Sequence, residues 1–169
     1  ATLQAQIDLD KALSFNAKDE IAMVQRAKIE LLGSAPAKAL GFLQRAFEIN
    51  PRLPLLHMAY GSMYEAEGND AAALAAYNYS IQLEENAAAL FQRGRIYLKC
   101  QQPRRALADF LRTLELQPTH ARAYCGAGEI YAANGEKEIA IHYYQQAATL
   151  GYDAARDALI RMQRDGSVV

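Results

Sequence analysis

The sequence predicts an all-α solenoid built from stacked antiparallel helix pairs. Three observations lead there. Small residues recur at Ala27, Gly61, Gly94 and Gly128, at steps of 34, 33 and 34. A period of that length marks a repeat array, in which each unit buries its apolar face against the next. Inside a unit the spacing is helical: Leu90, Gly94, Tyr97 and Gln101 follow at steps of four, three and four, which lines one helix face. Turn residues then interrupt the units midway, as Gly68 with Asn69 and Asp70, and as Asn134 with Gly135.

Further columns keep the same register. Three residues after the small column the chain reads Glu30, Tyr64, Tyr97 and Tyr131. A second small column reads Ala5, Ala39, Ala73, Ala106 and Ala140. Four later come Leu9, Leu43, Tyr77, Phe110 and Tyr144, then Ala12, Ala46, Ser80, Thr113 and Ala147. Small residues let two helices approach closely, and the large ones a turn away fill the space beside them. Pro36 and Pro103 fall near the first position of a second helix, where a missing N–H costs little. Pro51 and Pro118 mark where such a helix has ended.

Taken in order, residues 1–169 read as a single array. Residues 2–16 match the second helix of a unit whose first helix is absent, so Ala5, Leu9 and Ala12 would be partly uncovered, and a segment upstream is expected to have been cut away. Full units follow at 17–53, 54–86, 87–120 and 121–152. In the first of them Glu30 stands where the others carry Tyr. A buried carboxylate is costly unless paired; Arg26 lies one turn earlier, but the expectation is a helix that packs less deeply. Residues 153–164 carry an apolar stripe, Ala154, Ala158, Leu159 and Met162, opposite Arg156, Asp157, Arg161 and Arg164. That two-sidedness suits a terminal capping helix, followed by a tail at 165–169.

Composition excludes several functions. With a formal net charge of -1 and a pI near 6.4, nothing electrostatic favours nucleic acid or an anionic membrane. No apolar run approaches the roughly 18 residues of a bilayer span, and the first residues lack the basic end and apolar block of a signal peptide. The expected setting is therefore cytoplasmic, with a periplasmic place or one peripheral to an envelope complex as the alternative. The chain begins without Met, which reads as a processed form or an excised piece. Cys100 and Cys125 show no metal-ligand spacing and are expected to be buried or half-buried thiols; no metal or other cofactor is expected.

The pattern resembles the tetratricopeptide repeat over nearly the whole chain. Tyr124, Gly128, Tyr131, Ala140, Tyr144 and Ala147 follow that signature in the last unit, as do Leu90, Gly94, Tyr97, Ala106, Phe110 and Pro118 in the one before. The resemblance implies a right-handed superhelix whose concave face is lined by the first helix of each unit. On that face one row reads Val24, Met58, Phe91 and Cys125, and a second reads Lys28, Ser62, Arg95 and Glu129. Flanking positions add Leu55, Leu98 and Arg122. The first row is more apolar than a solvated surface needs, so these residues are expected to form a peptide-binding groove with apolar anchors and a charged rim. Phe91→Ala is then expected to weaken binding by about 2 kcal/mol and to leave the fold intact. The carboxylate clamp of chaperone-tail binders is not reproduced. Its Lys place holds Val24, Met58, Phe91 and Cys125, and its Asn place holds Lys28, Ser62, Arg95 and Glu129.

No catalytic constellation stands against this reading. His57 falls in a core column, His120 lies in a loop near Pro118, and His142 is expected to face outward; none has a partner at triad or metal spacing. Lys99, Arg104, Arg105 and Asp109 read as a wetted surface. The expected role is a non-catalytic scaffold or adaptor that holds a peptide or helix of a protein partner within a multiprotein assembly. The rivals are a targeting arm of a larger enzyme and a module that self-associates through its N-terminal half-repeat.

Overall fold

The computed structural model describes residues 2–33 and 35–166, and among them ten helices and no strand. Two compact units divide the chain, Ala1–Glu85 and Asn86–Val169. In the first, α1 (Thr2–Phe15) leans on α2 (Glu20–Leu32), which pairs with α3 (Pro36–Ile49); α4 (Pro54–Ala66) pairs with α5 (Asp70–Leu83) and packs on α2 and α3. In the second, α6 (Ala87–Lys99) pairs with α7 (Pro103–Leu116) and α8 (Ala121–Ala133) with α9 (Lys137–Thr149); α7 packs on α8, and α10 (Asp153–Gly166) lies on α9. The tail expected at 165–169 begins inside α10, and residues 167–169 lie outside the described ones.

Local chemistry sets the helix ends. Asp19, Asn69 and Asn86 cap α2, α5 and α6, each accepting a backbone N–H three residues on, at 2.8, 3.1 and 2.8 Å. Pro36, Pro54 and Pro103 open α3, α4 and α7, where the proline needs no N–H partner. The turns out of α4 and α8 use Gly68 and Gly135 at φ of 75° and 83°. Gln101 takes the same left-handed place after α6 at φ 57°, without glycine's freedom.

The small columns do what close packing requires. A Cβ on Gly61 would lie 2.5 Å from Tyr77, and Cβ atoms on Gly94 and Gly126 would lie 2.8 and 2.7 Å from the Phe110 ring. Each ring therefore rests directly on helix backbone. The two hydroxyls of the Ala12 to Ala147 column are satisfied: Ser80 donates to the Pro54 carbonyl at 3.0 Å and Thr113 to the Asp109 carbonyl at 2.7 Å.

Three expectations change. Glu30 is not on a shallow helix: it is buried and ion-paired with Arg26, whose Nε also reaches Asp10 at 2.9 Å. A planar guanidinium can serve two carboxylates at once, which makes the buried charge tolerable. Asp109 is likewise no surface residue. It is buried and takes two hydrogen bonds from Arg93, at 2.8 and 2.5 Å. In the capping helix the apolar stripe runs through Ala155 and Ala158, both buried, while Ala154 is exposed.

Candidate functional site

Within unit 2 the first helices of two pairs border a hollow of about 360 Å³. Helical spacing places Phe91, Arg95 and Leu98 on one face of α6, and Arg122, Cys125 and Glu129 on one face of α8. Phe110 of α7 and Gly126 of α8 deepen it, Lys99 extends the α6 side, and Tyr152 closes one end from the turn before α10. Because Gly126 has no side chain, α8 comes down onto the Phe110 ring.

Phe91 is the floor. Only 5% of it is exposed, and its ring packs 5.7 Å from Phe110 and 4.5 Å from His120 between centroids. The Arg122 guanidinium lies 5.0 Å over the same ring, an arrangement that holds an otherwise exposed cation in place. Arg95 is half-buried and donates to the Gln92 side chain at 2.7 Å. The Cys125 thiol points toward Glu129 Oε1 at 3.7 Å, and burial, reinforced by the Glu129 charge, pushes its pKa up to about 12. His120 caps α8 by accepting the Ala123 N–H on Nδ1 at 3.2 Å, so that nitrogen is unprotonated. Burial, assisted by the nearby Arg122 charge, lowers the His120 pKa below its ordinary value. The hollow thus combines an aromatic floor, an apolar wall and a rim holding Arg95, Lys99 and Arg122 beside Glu129.

Of the residues expected in the groove, Phe91, Arg95, Leu98, Arg122, Cys125 and Glu129 come together at this hollow. The first row does not present free apolar surface, however. Val24, Phe91 and Cys125 are all buried, because each packs into a core cluster with helices that follow it. Val24 shares a core cluster with Leu56 and Ala59, Phe91 one with Ala123 and Ala127, and Cys125 one with Tyr144 and Ala155. Phe91→Ala would therefore cut into the core, at about 3–5 kcal/mol, instead of sparing the fold.

In unit 1, Lys28, Leu55, Met58 and Ser62 are half-buried. Burial lowers the Lys28 pKa, and Ser62 is turned inward, donating to the Met58 carbonyl and lying 3.2 Å from the Tyr77 hydroxyl.

Sequence reasoning missed Lys99, Phe110, Gly126, Tyr152 and His120 as parts of this place. The signal for His120 was available, because Asp19, Asn86 and His120 share one column of the repeat and all three cap a helix. His57 is buried, and its Nε2–H donates to the Pro51 carbonyl at 2.7 Å; His142 is exposed. Both cysteines are free. Among the described residues no group of three or more His, Cys, Asp or Glu could hold a metal, and no helix is long and apolar enough to cross a membrane.

Comparison with known proteins agrees with this anatomy. Residues 87–120 and 121–150 each match a family profile of the tetratricopeptide repeat. Among solved structures, Pseudomonas aeruginosa PilF is similar with a TM-score of 0.80 at 19% identity, over 95% of this chain and 81% of that one. A thermophilic TPR protein of Thermus thermophilus gives 0.76 at 20%, over 94% and 88%. PilW, described as a widely conserved type IV pilus biogenesis factor, gives 0.73 at 21%, over 92% and 70%. At these identities the likeness is one of fold. Residues 87–150 thus carry two tetratricopeptide repeats, a kind of helix pair that typically serves as a protein-interaction scaffold, and the chain shares the fold of solved tetratricopeptide-repeat proteins.

Proposed function

We propose that this protein is a non-catalytic scaffold or adaptor that holds a peptide segment of a protein partner in the hollow of unit 2, as part of a multiprotein assembly. The observation that carries this is the convergence of Phe91, Arg95, Leu98, Arg122, Cys125 and Glu129 on one concave place, with Arg122 held over the Phe91 ring. An aromatic floor beside a ready-placed guanidinium suits a segment that offers an apolar side chain next to a carboxylate. Arg95, Lys99 and Arg122 outnumber Glu129 around it, which favours an acidic segment. The proposed setting is cytoplasmic, with a periplasmic or envelope-peripheral complex as the alternative; fractionating cells that express the natural gene product decides between them.

The test uses exposed residues, so that binding and folding separate. Peptides selected from a displayed random library on the whole chain are re-measured on Arg122→Glu and Glu129→Lys. The expected result is acidic peptides that bind Arg122→Glu at least about tenfold more weakly, about 1.4 kcal/mol, and Glu129→Lys no worse than the parent. Thermal midpoints should stay unchanged. Selected peptides indifferent to Arg122→Glu, or a library that yields none, would overturn the reading.

A self-associating module is the second reading, and α1 is the observation behind it: Leu3, Ile7 and Phe15 are exposed, Phe15 by 82%. Light scattering on the parent and on Ile7→Glu distinguishes it. A concentration-independent monomer in both removes it.

A further inference from the structure

Unit 1 contains a second hollow, of about 540 Å³, built from different residues. Leu40 and Phe47 of α3, Tyr60 and Tyr64 of α4, and Ala72 and Ala76 of α5 border it. No lysine, arginine or carboxylate lines it among the described residues. Unit 2 shows what the equivalent place accommodates. With Gly61 set against Gly128 and Ala73 against Ala140, Leu40 and Phe47 correspond to Leu107 and Leu114, Tyr64 to Tyr131, and Ala76 to Tyr143.

In unit 2 a tyrosine ring occupies that place. The Tyr143 ring stacks on Tyr131 at 5.2 Å, lies 6.0 Å from Tyr124, and packs with Leu107 and Leu114 against the Phe110 cluster. Unit 1 has only a methyl group at Ala76. Part of the missing volume returns through Tyr60, which stands where unit 2 has Ala127 and stacks on Tyr64 at 6.3 Å. The hollow is what remains: aromatic on one wall and small on the other, with Gln44 and His57 as further polar lining, no lysine, arginine or carboxylate, and Tyr64 in the register of the Tyr131 ring on which Tyr143 stacks. A neutral ring with one polar tip matches such a lining better than an aliphatic chain or a charged group does.

We propose that this hollow binds an aromatic side chain, a tyrosine presented by a partner protein, which completes from outside the packing that Tyr143 completes from within in unit 2. The site is separate from the hollow of unit 2 and does not depend on it.

The test titrates the whole ¹⁵N-labelled chain with N-acetyl-tyrosine amide and, separately, with N-acetyl-leucine amide. The expected result is saturable shifts around Tyr60, Tyr64 and Ala76 with a Kd on the order of 1–10 mM for the tyrosine probe, and at least about tenfold weaker binding of the leucine probe. Ala76→Tyr should fill the place from within, abolish those shifts and raise the thermal midpoint by about 2–4 °C. Equal response to both probes, shifts centred elsewhere, or undiminished shifts in a folded Ala76→Tyr would each overturn the proposal. The titration of the unmodified chain decides the matter whether or not that variant folds.

Discussion

The same core position is solved in two ways in the two units. In unit 1 the large column holds Leu43, and the facing helices offer Ala27 and Ala59 in the same core cluster. In unit 2 the equivalent position holds Phe110, and both facing residues have become glycine, Gly94 and Gly126. A larger residue in the middle is matched by smaller ones on both sides, so volume is exchanged between the facing helices. The carboxylates differ as well. Unit 1 buries Glu30 on the first helix of its pair beside Arg26, and unit 2 buries Asp109 on the second helix beside Arg93. Among the described residues each unit thus carries one buried acid, but its partner comes from the same helix in one case and across the pair in the other.

The largest test of that contrast is Arg93→Met. It would strand the Asp109 charge, and denaturant unfolding should show a loss of about 3–5 kcal/mol. Adding Asp109→Leu should recover most of it, since a carboxylate that is absent needs no partner. A loss under about 1 kcal/mol for Arg93→Met alone would mean that the pair contributes little to the unit. Next in size, Gly126→Ala pushes a methyl group into Phe110 and should cost about 1–3 kcal/mol. Combining Gly126→Ala with Phe110→Leu moves unit 2 toward the unit 1 solution, and the pair should cost clearly less than the sum of its parts. Strict additivity in that double-mutant cycle would refute the volume exchange.

The smallest effect concerns caps. Leu53 precedes α4 without a side-chain cap, whereas His120 in the same column caps α8 through an unprotonated ring nitrogen. Burial keeps the folded-state pKa of His120 below its ordinary 6.5. The unfolded chain therefore takes up this proton first, so the cap's contribution is complete above pH 6.5 and is lost as pH falls through the lower folded-state value. The loss should be about 1 kcal/mol, and His120→Asn, which caps without titrating, should remove it. Unfolding midpoints between pH 7.5 and 5, compared for parent and variant, measure it; identical profiles count against the mechanism.

Much of this was legible in the sequence because helix contacts repeat with the chain. The alternation of Ala27, Gly61, Gly94 and Gly128 with large residues a turn away fixes which faces meet, and the prolines at 36 and 103 announce where helices start. The Arg26 and Glu30 pair lies one turn apart and could be read as a pair, although its depth could not. Arg93 and Asp109, sixteen residues apart on two helices, look like surface charges until the pair is folded. The candidate groove was only half legible for a related reason. Val24, Phe91 and Cys125 are apolar whether they greet a partner or the next helix pair, and sequence pattern does not separate those two kinds of neighbour. The hollow of unit 2 exists because Phe91 and Cys125 sink to its floor while Arg122 and Glu129 stay at its edge.

The Cys125 environment has a practical outcome. Thiols attack alkylating dyes as the thiolate anion, and a thiol shifted to about 12 offers almost none of it near neutrality. A maleimide fluorophore added to the native chain should therefore settle on Cys100, at the end of α6, and leave the floor of the hollow untouched. The protein thus carries a single addressable handle at the end of α6, next to Lys99 on the rim of the candidate site.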